Sequence, residues 1–420
     1  MKEERQLHTT LDQPAGVKKT SIIGPGLIVA ATGVGAGDLV AALVAGTNYG
    51  LVFLWAIMIG AILKFVLNEG VGRWHLISGK TILEGWHLMG KWATGYFGVY
   101  SVIWGFVYGA AGTASCALAA SALFPQLSLT AWAIIHGILG LVLVWSGQYK
   151  RFEHVMNILI GIMFITVVGA AILVLPQLGD VMGTAVPALP KGSLIYALGL
   201  IGGVGGSLTM ASYGYWLEEN KWKGSSFLSA VRYDSAVAYF VTALFTISLL
   251  VLGAGLLFGT DVTISGEKGL VDFAGILGNE LHPAVRYLFL VGFWAASFTS
   301  VLGVWNGVPY LFADFIRTVR HQRIPNEELS KSKAYRFYVL WLTFPPMLLH
   351  IIGKPVALII AYGALGAIFM PFLAITLLYL LNKKKYVGAI DRGQKWSNVG
   401  LAVSILLFIV LAVNELMNLF

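Results

Sequence analysis

The 420-residue chain has one cysteine, and only 11% of its residues are charged, less than half of the roughly 25% usual in soluble domains. Cys116 has no intrachain partner, which excludes both a disulfide framework and a cysteine-based metal cluster. An enzyme site would need His, Asp or Glu clustered at one depth. No such cluster and no Cys/His metal motif is present, so the chain reads as a non-enzyme that calls for no cofactor. The net charge of +8 forms no basic stripe. Its Lys and Arg residues sit in short segments between apolar runs, which argues against nucleic acid as a partner. A soluble domain is lacking as well.

Apolar sequence dominates instead: 57% of residues are hydrophobic, and 13 Trp and 17 Tyr suit interfacial belts. Runs of about 20 mainly apolar residues read as membrane helices. They fall at roughly 21–47, 51–69, 94–124, 128–147, 154–175, 193–217, 235–258, 284–316, 336–353, 355–381 and 397–419, eleven spans in an all-α integral membrane protein. The polar segment 1–20 reads as a retained cytoplasmic tail, because the run after it is too long for a signal peptide's core. With that tail inside, about 23 Lys and Arg residues fall on the cytoplasmic side and four on the other, namely Lys191, Lys268, Arg286 and Lys354. This bias places the N-terminus in the cytoplasm of a cell-membrane protein and the C-terminus outside. Lys64 is left near the middle of the second run, where it either snorkels or faces a cavity. The connections 258–281 and 318–334 read as ordinary loops, with Pro325-Asn326-Glu327-Glu328 in the second suited, as an alternative, to the first turn of a short surface helix.

Two runs are interrupted by glycine. The first carries Gly33-Val34-Gly35-Ala36-Gly37-Asp38, and the sixth carries Gly202-Gly203-Val204-Gly205-Gly206-Ser207. Each helical glycine costs roughly 1 kcal/mol relative to alanine, so both are places for a helix to unwind. Freed carbonyls in mid-membrane are tolerable where they line a cavity or hold a ligand, and paired broken spans point to a transporter's binding site. Spans 1 and 6 enter from opposite sides. That is the arrangement of two inverted five-helix repeats, here about 21–175 and 193–381, within a core of 21–381 followed by a loop and eleventh helix in 382–420.

Asp38 is the one acidic residue deep in an apolar run; it reads as a cation ligand or, alternatively, as a helix cap. Carbonyls near Gly35, and Ser207 or Thr209, add hard oxygen, whereas the Met210 thioether would favour Mn, Fe, Co or Cd over Mg or Ca. Met210 alone is more readily a packing residue. Asn306, within span 8, either coordinates or makes an interhelical hydrogen bond. Glu69 with Arg73, and Asp314 with Arg317, stand at helical spacing at cytoplasmic span ends and read as solvated surface pairs, with a gate-forming ion pair as the alternative. Span 3 has no Asp, Glu or His, which argues against tight proton coupling.

The segment Glu69 to Glu84, EGVGRWHLISGKTILE, resembles the stretch after the second helix of the Nramp family of divalent metal transporters. Gly46 to Gly50 is similar to that family's Gly-Ser-Gln-Phe-Gly, and Ser297 to Gly303 with Asn306, and Pro371 to Ile375, add to the likeness. The resemblance covers essentially all eleven spans and implies a LeuT-type fold with a metal site between broken helices 1 and 6. Its site motifs differ. Anchored on Gly46 to Gly50, the family's Asp-Pro-Gly-Asn aligns with Gly35-Ala36-Gly37-Asp38, so the carboxylate is moved three positions. In helix 6 the family's methionine aligns with Met210 and its histidine is lost, or, in a register four residues earlier, Gly206 takes the methionine position. The first register implies Mn or Fe, the second Mg. The missing helix 3 acids and helix 6 histidine imply a carrier without the family's usual proton coupling. The site set under this reading is Asp38, Gly35, Ser207, Met210 and Asn306, with the bilayer and a divalent metal substrate as partners. The alternative on the same fold is a sodium-coupled carrier of an organic solute.

Overall fold

The computed structural model describes residues 24–203, 208–262, 264, 268–352, 355–387 and 395–419. Among them there is no strand. The helices are α1 (Pro25–Gly33), α2 (Ala36–Tyr49), α3 (Leu54–Ser78), α4 (Ile82–Met89), α5 (Lys91–Leu123), α6 (Leu129–Trp145), α7 (Tyr149–Val174) and α8 (Leu194–Gly203). There follow α9 (Tyr213–Glu219), α10 (Leu228–Leu257), α11 (Lys268–Glu280), α12 (Pro283–Val319), α13 (Lys333–Ile352), α14 (Pro355–Asn382), α15 (Lys384–Val387) and α16 (Lys395–Leu419). Among the described residues, each apolar run of the sequence is mainly helix. Six described helices are each long and apolar enough to cross a membrane, and α1 with α2, bent by 65°, make a seventh span.

The connections hold more structure than a loop reading expects. After span 2, α4 opens on a reciprocal cap: Thr81 Oγ1 accepts from the Glu84 N–H at 3.1 Å, and Glu84 Oε2 accepts from the Thr81 N–H at 2.8 Å. Within 258–281, α11 buries Leu270, Phe273, Ala274 and Leu277, an i, i+3, i+4, i+7 face, and packs on α12. A short 3₁₀ helix, Asn326–Lys331, sits in the connection after α12.

Hydrocarbon supplies no hydrophobic drive between helices, so close backbone approach has to hold the bundle. α2 lies along α10, where a Cβ added at Gly46 would collide with the Leu250 carbonyl and one at Gly253 with the Leu43 carbonyl. The contact is backbone against backbone from both sides, and only glycine at both positions permits it. α12 runs through the centre, packed by α1, α5, α6, α7, α11 and α13. Lys64 does not snorkel: it is 1% exposed, with its ammonium 5.4 Å from the centre of the Phe408 ring on α16.

Candidate metal site

At the first break only Val34 and Gly35 leave helical geometry, with ψ of 90° and 172°. Gly35 is the N-cap of α2, and its N–H donates to Asp38 Oδ2 at 3.1 Å. Asp38 thus makes the backward half of a capping box; glycine has no side chain with which to make the other half. The cap and the half-buried carboxylate also suit the positive N-terminal end of α2. The Lys64 ammonium acts on this carboxylate electrostatically. Above the break, the Thr32 carbonyl accepts from Ser300 Oγ at 2.8 Å, and Ser300 in turn shares a 2.6 Å hydrogen bond with the Tyr108 hydroxyl. Room remains beside the break: a Cβ at Gly35 would have Ser300 Oγ as its nearest neighbour at 3.9 Å, and one at Gly37 would meet nothing within 4 Å.

On the sixth span the described part of α8 runs to Gly203, and after residues 204–207 the chain forms a 3₁₀ turn, Leu208–Ser212, that leads into α9. Ser207, and Gly206 of the alternative register, lie outside the described residues. Met210 is fully buried in the turn. Its neighbours Thr209 and Ser212 have buried hydroxyls with no hydrogen-bond partner among the described residues. Such hydroxyls are costly unless something else uses them, and sequence reasoning had left Ser212 out. The turn packs against α1, α3 and α12, so both breaks meet on α12. Asn306 of α12 is buried, but its Oδ1 accepts from Trp216 Nε1 at 2.7 Å, the interhelical bond that was its alternative reading.

Below the breaks lies a buried network of ion pairs and hydrogen bonds. Glu69, Arg73, Asp314 and Arg317, expected as solvated pairs, are all buried. Glu69 is bridged by Arg73 at 3.4 Å and by Arg232 of α10 at 3.1 Å. Asp314 takes Arg317 Nε at 2.9 Å and the Tyr215 hydroxyl at 2.5 Å. Glu218 joins His75 of α3 at 3.3 Å and Lys223 at 2.6 Å, and Glu219 accepts from the Tyr310 hydroxyl. Asp38 is half-buried, and a further acid is more deeply enclosed. Asp234, one residue before an apolar run, is 6% exposed, and its Oδ2 accepts from the Gly26 N–H and the Tyr213 hydroxyl, each at 2.7 Å. One carboxylate oxygen therefore ties the start of α1 to the start of α9, the half-helices that lead to and from the two breaks.

A family model described as "Natural resistance-associated macrophage protein-like" matches residues 26–418. The chain belongs to the Nramp family. It is 21% identical to the divalent metal cation transporter MntH of Staphylococcus saprophyticus over 94% of this chain and 91% of that protein. In fold, this Nramp chain is similar to the manganese transporter of Eremococcus coleocola, with a TM-score of 0.76 at 15% identity over 94% of this chain and 86% of that one. It also resembles MhsT in complex with L-phenylalanine, at a TM-score of 0.62 and 17% identity over 94% and 98% of the two chains. The architecture is LeuT-type, as the two broken spans require. The Nramp-like segment Glu69 to Glu84 turns out to hold one arm of the buried network, with Arg73 also donating to Ser397 of α16 at 2.7 Å, and the cap that starts α4.

Proposed function

We propose that this Nramp protein carries divalent metal cations across the membrane by alternating access, the ion lodging between the two helix breaks. The observation that carries the reading is the pairing of those breaks: a carboxylate stands on the first turn after one, and a thioether stands on the turn after the other. Asp38 supplies the charge, carbonyls near Gly35 and Ser207 supply oxygen, and Met210 supplies sulfur. Asn306 borders the site rather than entering it, since its oxygen is already taken by Trp216. The relatives described as a divalent metal cation transporter and a manganese transporter support the same class of substrate. A sulfur donor tunes the site toward Mn or Fe and away from Mg and Ca.

Movement is uptake from the outer face, with the N-terminus cytoplasmic and the C-terminus outside. Repeats of about 21–175 and 193–381 form the core that rocks, within a 21–381 unit. α5 offers no Asp, Glu or His to relay protons, so the cation moves without the tight proton coupling that such groups provide. The inner network is the barrier on the cytoplasmic side. Opening it means parting α9 from α3, α10 and α12, whose ion pairs and hydrogen bonds converge on residues 213–219.

The test is calorimetry of the purified protein with Mn, Mg and Ca, followed by Mn uptake into liposomes. Saturable Mn binding that is lost in Asp38→Asn, with uptake that does not acidify the liposome lumen, is the expected result. No binding of any divalent ion by well-folded protein would overturn the reading.

A further inference from the structure

Beyond metal transport, a cavity of about 520 Å³ opens where α12 ends and α13 begins, a size within the range of small-ligand sites. Most of its wall is apolar, with Phe312 and Ile316 from α12, Phe337 from α13 and Ile324 from the connection, while Gln322 and Ser332 add polar edges. The Phe312 and Phe337 rings face each other at 6.2 Å, and Phe337 is 58% exposed at the outer edge of the bundle. Two cations line the same cavity, Arg320 at the C-cap of α12 and Lys333 as the first residue of α13. No carboxylate lines it, and among the described residues neither cation joins an ion pair. This differs from Arg73, Arg232, Lys223 and Arg317, each of which has an acidic partner.

The position sets the chemistry. Arg320 caps α12, which is long and apolar enough to cross a membrane, and Lys333 opens α13, the ninth span of the sequence reading; on that reading both charges stand at headgroup depth with the aromatic wall on the hydrocarbon side. An anion with an apolar tail matches this layout, and a soluble anion leaves the wall unused. We propose that the cavity is a binding site for an anionic phospholipid of the leaflet on this face. The phosphodiester sits between Arg320 and Lys333, and the first part of an acyl chain lies over Phe312, Ile316 and Phe337. The site adjoins the inner network directly. Ile324, part of the cavity wall, offers its carbonyl to Arg317 Nη1 at 2.8 Å, and Arg317 holds Asp314. A bound lipid therefore braces the connection that positions the network.

The full chain in a neutral detergent is titrated calorimetrically with dioctanoyl phosphatidylglycerol, dioctanoyl phosphatidylcholine and glycerol 1-phosphate. Saturable binding of the first, at least tenfold tighter than the second and without measurable binding of the third, is the expected pattern. The Arg320→Gln/Lys333→Gln double variant should bind phosphatidylglycerol about 30-fold more weakly, from the contribution of each basic side chain at an anionic surface. The charge-conserving Arg320→Lys/Lys333→Arg variant should keep most of the affinity. A Lys383→Gln/Lys385→Gln variant, neutralised on the same face but away from the cavity, should bind as wild type. Equal binding of the two lipids would remove the case for the cations, and equal binding of glycerol 1-phosphate would remove the case for a lipid. Loss of affinity in the Lys383/Lys385 variant would show a diffuse surface effect in place of this site. All of these readouts are independent of Mn binding, so failure here leaves the transport reading intact.

Discussion

Replacing Asp234 by alanine tests whether the two half-helices are held by one carboxylate. The side chain is buried, and its Oδ2 accepts from both the Gly26 N–H and the Tyr213 hydroxyl. Alanine leaves two buried donors without an acceptor, at about 1–3 kcal/mol each. Loss of the negative charge at the N-terminus of α1 adds about 0.3–1 kcal/mol. The sum is a destabilisation of roughly 2–7 kcal/mol. Asp234→Asn keeps the volume and can offer a single carbonyl oxygen to both donors, so it loses mainly the charge and should cost about 1–2 kcal/mol. Tyr213→Phe removes one of the same bonds, so combining it with Asp234→Ala should cost less than the sum of the two. Cys116 provides the assay: it is the one cysteine of the chain and is buried, so a thiol-reactive fluorogenic dye reports unfolding. The expected order of unfolding midpoints is wild type, then Asp234→Asn, then Asp234→Ala. An alanine variant within about 0.5 kcal/mol of wild type would refute the reasoning, since that is the scale of an ordinary surface change. The independent variant Gly26→Ala puts a methyl group 2.7 Å from the same Oδ2 and should reproduce the loss.

Other expectations follow from the same geometry. Asp38→Asn keeps a cap acceptor but not the charge, so thermal stability should hold while Mn affinity measured by calorimetry falls at least about tenfold. Asp38→Ala should lose the affinity and, in addition, about 1 kcal/mol of stability. Gly35→Asp has room for its Cβ and sits in extended backbone with φ of −97°, so it should fold and raise divalent affinity about tenfold by adding a second carboxylate to the break; an unchanged Mn affinity would place the ion elsewhere. Gly253→Ala drives a methyl group against the Leu43 carbonyl and to 3.0 Å from the Thr47 nitrogen, and should destabilise by about 1–3 kcal/mol in the Cys116 assay.

What could be read from the sequence and what could not divides along the distance over which each cause acts. The cost of glycine in a helix is local, so the break at Val34 and Gly35 and the change from α-helix to a 3₁₀ turn by Leu208 were signalled by the glycine runs beside them, and span length located the helices around them. Burial of a charge depends on its partner, which lies far along the chain. Asp234 finds Gly26 at a separation of 208 residues, and Glu69 finds Arg232 at 163. Spacing of three or four within one helix identifies Glu69 with Arg73 and Asp314 with Arg317, but it carries no sign that Arg232 and Tyr215 close over them. The connections failed for a different reason: α4 is eight residues and α11 thirteen, too short to register as spans, although the Thr81 and Glu84 cap was there to be read.

Asp38 shows how two readings that seemed to compete belong to one side chain. The cap uses Oδ2, and among the described residues no hydrogen bond falls on Oδ1. A carboxylate has lone pairs enough to hold the Gly35 N–H and still face a cation with its second oxygen. The cap then does for the ion what a supporting hydrogen bond does for a metal ligand: it fixes the carboxylate's orientation at the head of α2. The cation then meets a single carboxylate at the break. A site with one carboxylate should hold its cation more weakly than one with two, which is the difference that Gly35→Asp measures.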